Sequence, residues 1–319
     1  MNKSFFALLA GLVLVALLLT ACSSSNQSSL PQSGNIKVVA STSLIGDVVR
    51  NVGGEAVELA VLIPAGSDPH TFEPRPQDIA ALSDADIVFI NGLDLEEALE
   101  PALDANVRGI LVAVSDGIEV LPFQDEHEAE AEEHAPEEED RAHATGDPHT
   151  WMDPNNVIVW TQNIATALSQ TDPANASKYQ SNADAYISEL RQLDGWIRQQ
   201  VEQLPANQRK LVTDHAVFAY FAEQYGFEQV GLIVPALSSN AAPSAKELAG
   251  LVDQIRSSGI PAIFVGTTVN PALSEQVASD TGTKLVFVYT GSLGEAGSPV
   301  DSYIKFMRSN VSAIVEALK

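Results

Sequence analysis

The sequence is poor in cysteine and in basic residues. One cysteine among 319 residues excludes an internal disulfide and any cysteine-rich zinc module. Lysine and arginine total 17 against 42 acidic residues, so the net charge is −25 at pH 7. This balance argues against a nucleic-acid partner, because phosphate binding requires a basic surface. It agrees with the attraction of cations.

Long apolar runs are absent after the N-terminus, where Lys3 precedes an almost unbroken run over residues 5–19. The run is typical of an export signal and is short for a bilayer span, which needs about 20 apolar residues. Leu-Thr-Ala-Cys at 19–22 resembles the bacterial lipobox, so we expect Cys22 to be lipidated and to anchor the protein to the membrane. The alternative is an ordinary signal peptide with a cysteine nearby.

The remaining chain alternates short apolar, β-branched runs with segments of helical spacing. This alternation predicts an α/β fold with a mostly parallel sheet flanked by helices in each half. Residues 174–204 are helical in character and span roughly 45 Å if continuous. We therefore expect two lobes joined by one long rigid helix. The strand-like runs lie at 36–40, 57–62, 87–90 and 110–114, and then at 210–213, 230–234, 262–265 and 285–288.

One segment, 122–148, interrupts the alternation with eleven acids and one arginine. Such a composition cannot form a core, so it predicts a loop. The loop is either a solvated linker or an accessory metal collector through His127, His134 and His143. The predicted organisation is a signal peptide at 1–22, a tether at 23–35, an N-terminal lobe at 36–170 that contains this loop, a linking helix at 171–204 and a C-terminal lobe at 205–319.

Asp-Pro-His-Thr occurs twice, at 68–71 and 147–150, and contains two of only six histidines. His215 lies two residues beyond the strand-like run 210–213. Because ligands of α/β sheets bind beyond the carboxyl ends of strands, we expect His70, His149 and His215 to meet at one metal ion. For any one histidine alone, a capping or surface role is the alternative. The neighbouring acids are candidates to accept the other ring N–H of each histidine; they are Asp68, Asp147 and Asp214.

Several stretches carry a specific resemblance to a known family. The chain resembles the cluster A-I metal-binding lipoproteins, which deliver zinc or manganese to ABC transporters. The resemblance implies two α/β lobes with the metal in the cleft, His70, His149 and His215 as ligands, and a membrane permease as partner. It also implies an exported, lipid-anchored or periplasmic monomer. The matching stretches lie at 64–70, 146–154, 213–215, 243–248 and 289–293.

The sequence departs from the family where many members carry an aspartate as the fourth ligand. The corresponding position is Gly291, and a second position that is often acidic is Gly266. We expect water to take the fourth place, although a carboxylate such as Asp301 or Glu295 is an alternative. Three imidazoles without a hard carboxylate favour zinc over manganese, because manganese prefers oxygen ligands.

Two other functions compete with a metal carrier. Three histidines and a water are also the ligands of a catalytic zinc site, so a hydrolase or hydratase is one alternative. It would need a general base, for which Asp153 and Glu73 are close to the histidines in sequence. A surface adhesin with a structural metal is the other. Neither a His-Glu-x-x-His helix nor a nucleophile elbow is present, so we predict a carrier and not an enzyme.

Overall fold

The computed structural model describes residues 34–122, 146–236 and 242–319. Cys22 and the histidines of the acidic segment, His127, His134 and His143, lie outside the described residues. Within these ranges strands and helices alternate, as the sequence predicts. The strands are β1 (Ile36–Ala40), β2 (Val57–Val61), β3 (Ile87–Ile90), β4 (Ile110–Ala113), β5 (Lys210–Thr213), β6 (Glu228–Leu232), β7 (Ala262–Gly266) and β8 (Lys284–Val288).

These strands form two four-stranded sheets, with the orders β2-β1-β3-β4 and β6-β5-β7-β8. All of the strand pairs in both sheets are parallel. The central strand β7 is buried at every residue, as expected where helices cover both faces of a parallel sheet. The second half of the chain therefore repeats the strand order of the first, and the predicted fold class is confirmed.

The helices follow the turn chemistry of the sequence. Pro76 occupies the first turn of its helix, where a missing N–H does no harm. Ser244 caps a later helix and forms a capping box with Glu247. The helices are α1 (Ser43–Gly53), α2 (Pro76–Asp84), α3 (Glu100–Asn106), α4 (Pro154–Thr171), α5 (Ala176–Val201), α6 (Ala219–Tyr225), α7 (Ala245–Ser258), α8 (Ala272–Thr281) and α9 (Tyr303–Leu318).

The long helix between the two sheets is shorter than its sequence pattern predicts. Helix α5 has 26 residues, about 39 Å at 1.5 Å per residue. A separate 3-10 turn, Pro173–Asn175, precedes it, and Asp172 lies between α4 and this turn. The Asp172 carboxylate accepts hydrogen bonds from Asn175 Nδ2 and from the hydroxyl of Tyr179. Helix α5 packs against α4, α1 and α9.

A continuous core connects the two sheets. The largest cluster of buried apolar side chains includes Phe89 of β3, Phe264 of β7, Trp160 of α4, Leu190 of α5 and Phe306 of α9. This cluster fixes the two sheets through the helices packed between them. None of the helices in the described parts of the chain is both long and apolar enough for a membrane span.

Candidate metal centre

The first Asp-Pro-His-Thr copy forms a tight turn in the connection that follows β2. Pro69–Thr71 is a single 3-10 turn, and the Asp68 carboxylate accepts a hydrogen bond of 3.0 Å from the backbone N of His70. Aspartate at the cap and proline at the first helical position are the residues that such a turn prefers. His70 remains partly exposed.

The second copy holds its histidine through the ring as well as the backbone. Asp147 Oδ1 accepts from the backbone N of His149 at 2.8 Å and from its Nδ1 at 2.7 Å. A carboxylate only accepts, so Nδ1 carries the proton and the Nε2 lone pair is free to bind an ion. His149 is 0% exposed, and its ring meets that of Trp151 edge-on at 5.2 Å between centroids.

His215 lies two residues beyond the last residue of β5. Asp214 fixes the local backbone: its Oδ1 accepts from the N of His215 and its Oδ2 from the N of Gly266, both at 3.0 Å. The Nδ1 of His215 lies 3.1 Å from Asp214 Oδ1, yet this buried nitrogen makes no aligned hydrogen bond. The contact is therefore chiefly electrostatic.

The three imidazoles converge on one point. One nitrogen of each ring lies within 4.8 Å of the others, and the ring centroids are 5.3, 5.5 and 5.9 Å apart. The Nε2 atoms of His70 and His149 are 3.2 Å apart. Two nitrogens at zinc-ligand distance from a common ion, in tetrahedral geometry, would be about 3.3 Å apart. The observed spacing therefore fits a shared ion.

The electrostatics keep this cluster from carrying a full set of protons. Burial, together with the imidazoles of His149 and His215, lowers the pKa of His70 to about 2. Burial also acts to lower the pKa of His215, but Asp214, with Asp68 and Asp147, outweighs it and raises that pKa. Neutral rings are the form that binds metals, and the surrounding carboxylates favour a cation at the same place.

No carboxylate joins this group within the described part of the chain. A Cβ on Gly291 would lie 2.7 Å from Pro69 Cδ, and one on Gly266 would lie 2.5 Å from Thr290 Oγ1. The two positions that are often acidic in the family are thus filled by close packing. Of the two alternative carboxylates, Glu295 is exposed, and Asp301 binds Lys305 Nζ at 2.7 Å.

Contacts that the sequence analysis missed join the loops around the imidazoles. Trp151 Nε1 donates to the carbonyl of Thr290 at 2.8 Å, and the backbone N of Gly66 donates to Ser292 Oγ at 2.8 Å. Both histidine-bearing loops of the first half are thereby tied to the segment after β8. In the sequence, the 289–293 stretch carries only a family resemblance. Its partners are 139 and 226 residues away, a separation that no local pattern reports.

A buried polar side chain also supports the His149 loop from the first sheet. Asn91 follows β3, and its Nδ2 donates to the carbonyl of Pro148 at 3.0 Å. The carboxylate of Glu96, which is itself buried, accepts from the backbone N of Asn91 at 2.7 Å. In the sequence, Asn91-Gly92 gives only a turn signal.

The fold and the imidazole cluster define a metal-binding, substrate-binding protein of the ABC-transporter class. Residues 38–317 match the family described as zinc-uptake complex component A, periplasmic, and the chain belongs to this family. The resemblance seen in the sequence is thereby confirmed.

Individual relatives match over almost their whole length. The chain is 34% identical to the manganese-binding lipoprotein MntA of Halalkalibacterium halodurans, with 96% of each chain covered. It is 30% identical to the manganese ABC transporter substrate-binding lipoprotein PsaA of Streptococcus pneumoniae, again over 96% of each. The periplasmic zinc-binding protein TroA of Treponema pallidum superposes with a TM-score of 0.76 at 27% identity, covering 89% of this chain and 99% of TroA.

A manganese-bound periplasmic metal-binding protein from Candidatus Liberibacter asiaticus superposes with a TM-score of 0.77 at 27% identity. That match covers 89% of this chain and all of the other. The family match and the substrate-binding role named for PsaA confirm the prediction of a metal-binding, substrate-binding protein and not an enzyme. The general-base candidates agree with this: Asp153 caps α4 through the backbone N of Asn155, and Glu73 is exposed.

Proposed function

We propose that the protein captures zinc with the imidazoles of His70, His149 and His215 and delivers it to the membrane permease of an ABC transporter. The observation that carries the proposal is the convergence of three ring nitrogens within 4.8 Å of one another. Asp147 orients the ring of His149, and Asp214 fixes the backbone at His215. Together with Asp68, these carboxylates supply the negative charge that a divalent ion requires.

Zinc is favoured over manganese by the donor set. Imidazole nitrogen suits zinc, whereas manganese prefers carboxylate and carbonyl oxygen. Three imidazoles would leave the fourth place of a tetrahedral zinc site for water. Manganese is the second candidate, because MntA and PsaA are both named for manganese. A competition between the two ions for one site distinguishes the candidates.

The proposed location is the outer face of the bacterial membrane, or the periplasm. MntA and PsaA are both named lipoproteins, and the Leu-Thr-Ala-Cys stretch supports lipidation of Cys22. We expect the exported protein to act as a monomer. Metabolic labelling with a fatty acid tests the anchor: Cys22→Ser should abolish incorporation, and retained label would contradict it.

The acidic segment is proposed as an accessory collector of metal. Its three histidines, His127, His134 and His143, lie among carboxylates that also bind divalent ions. Deletion of residues 124–145 should lower the zinc stoichiometry to one per chain and leave the tight site intact. An unchanged stoichiometry would leave the segment as a linker.

The central test is elemental analysis of protein purified without added metal, followed by competition titrations with zinc and manganese. We expect zinc to bind more tightly, and to be lost in His70→Ala, His149→Ala and His215→Ala. The triple variant His127→Ala/His134→Ala/His143→Ala is the matched control and should keep one tight ion. Tighter manganese binding would overturn the choice of ion, and tight binding by the three single variants would overturn the ligand set.

A further inference from the structure

Hydrogen bonds among Leu121, Asp147 and Tyr220 hold the two ends of the acidic segment together. We call these three residues the base of the segment. The backbone N of Asp147 donates to the carbonyl of Leu121 at 2.9 Å. The hydroxyl of Tyr220 donates to the carbonyl of Asp147 at 2.8 Å and accepts from the N of Leu121 at 3.2 Å. The hydroxyl of Tyr220 therefore binds the carbonyl of Asp147 and the N–H of Leu121, the two backbone groups that take no part in the hydrogen bond between these residues.

The glycine next to this base shows how closely it is packed. Gly146 has φ +106°, and a Cβ there would lie 2.9 Å from the carbonyl O of Leu121 and would overlap Val120. Tyr220 is 5% exposed, and burial raises its pKa to about 12. Its hydroxyl therefore keeps its proton throughout the physiological pH range and remains a donor.

One residue of the base, Asp147, contacts the candidate ligand His149. The carboxylate of Asp147, whose backbone is clamped by Tyr220, accepts from Nδ1 of His149 at 2.7 Å. Tyr220 itself lies in the first turn of α6, shortly after His215 in the chain. The connection between His215 and α6 is short and internally bonded, because Val217 N donates to the carbonyl of His215 at 2.9 Å. Tyr220 thus bridges the segments that bear two of the three histidines.

We propose that Tyr220 is a positioning residue for metal capture. This proposal rests on the function proposed above. The hydroxyl of Tyr220 fixes the backbone of Asp147, and Asp147 in turn fixes the ring of His149 relative to His215. Sites of this kind require their groups to be held within about 0.5 Å of the productive geometry. Loss of a group that orients a metal-binding histidine lowers affinity about 10- to 100-fold. Because Tyr220 acts through Asp147, we expect an effect at the lower end.

The variant that isolates this role is Tyr220→Phe, which removes one oxygen atom. The chain supplies a matched control on the same helix. Tyr225 is also 5% exposed, and its hydroxyl donates to Asp194 at 2.9 Å, on α5 and outside the metal cluster. Both variants remove a buried phenol hydroxyl from α6, so both are expected to lower the melting temperature of the metal-free protein.

The test compares zinc affinity, measured by competition with a chromophoric chelator, in full-length wild type, Tyr220→Phe and Tyr225→Phe. We expect Tyr220→Phe to weaken zinc binding about tenfold and Tyr225→Phe to stay within about twofold of wild type. The absorption bands of bound Co²⁺ and the ring ¹⁵N shifts of His149 should change only in Tyr220→Phe.

Equal zinc affinities and equal Co²⁺ spectra in the two variants would overturn the positioning role, even if both melt at lower temperature. Failure of the wild type to bind zinc or Co²⁺ would instead contradict the proposed function. The two failures are therefore distinguishable.

Discussion

The two Asp-Pro-His-Thr copies have the same four residues and different surroundings. In the first, Asp68 binds the backbone N of His70, and the ring is partly exposed. In the second, Asp147 binds both the backbone N and the ring Nδ1 of His149, and the ring is fully buried. Both copies share an aspartate whose carboxylate accepts a hydrogen bond from the backbone N of the histidine two residues later. The rest of the fold determines how firmly that histidine is held.

This difference suggests a division of roles. The buried ring of His149 is oriented in advance by Asp147 and by the packing of Trp151. The ring of His70 is partly exposed. We therefore expect His149 to be the fixed ligand and the His70 turn to be the more easily displaced one.

The largest effects should come from removal of the rings themselves. Loss of a group that merely orients a ligand costs about 10- to 100-fold, so His149→Ala and His70→Ala should each weaken zinc binding at least about 100-fold. His149→Ala should be the more severe, because it also removes the Nδ1–H that donates a hydrogen bond to the buried carboxylate of Asp147. Isothermal titration calorimetry measures both. Equal and small losses in the two variants would contradict the account.

The second prediction compares the two aspartates. Asp147→Asn should weaken zinc binding about tenfold, because the charge that holds and polarises the ring of His149 is lost. Asp68→Asn should have a smaller effect, since its described bond is to a backbone N. Competition titrations of the two variants under the same conditions measure the difference. A larger loss in Asp68→Asn would reverse our ranking of the two copies.

The third prediction concerns the fourth ligand. Gly291→Asp introduces an oxygen donor and should shift the preference towards manganese by a few-fold. Its Cβ would push against Pro69, so both affinities are expected to fall. Gly291→Asn has the same shape without the charge and is the matched control. The measured quantity is the ratio of the zinc and manganese dissociation constants, and an equal ratio in both variants would contradict a direct role for the carboxylate.

The smallest effect on structure should follow removal of the metal. The core that joins both sheets does not depend on the imidazoles, so chelation should leave the circular dichroism spectrum of the protein unchanged. The free energy of unfolding should fall only by the stabilisation that a bound ligand confers, about 4 kcal/mol at a thousandfold excess over the dissociation constant, and the melting temperature should fall accordingly. Unfolding upon chelation would indicate a structural ion and would argue against a carrier.

Most of the fold could be predicted from local sequence. The apolar runs, Pro76 and the capping serine Ser244 each specify a strand or a helix start through short-range physics. The parallel character of the sheets was predicted from the alternation, but their strand orders were not, because alternation does not indicate which strands are neighbours. Helix α5 is shorter at both ends than helical periodicity predicts, because Pro173–Asn175 forms a separate 3-10 turn and the helix ends at Val201.

The histidines of the candidate site could be predicted from the sequence, but the residues that hold them in position could not. The repeated tetrapeptide and the position of His215 after a strand predicted that three rings meet, and the rings lie 5.3 to 5.9 Å apart. Their role as ligands stays a prediction. The contact between Tyr220 and Asp147 spans 73 residues, and nothing in the sequence near either residue indicates it.

The most direct test is zinc K-edge X-ray absorption on protein loaded with one equivalent of zinc, with His127, His134 and His143 replaced by alanine. We predict scattering from three imidazole rings with nitrogen at about 2.0–2.1 Å, and one further light atom. A spectrum fitted by oxygen ligands alone, or by fewer than three imidazoles, would contradict the central claim.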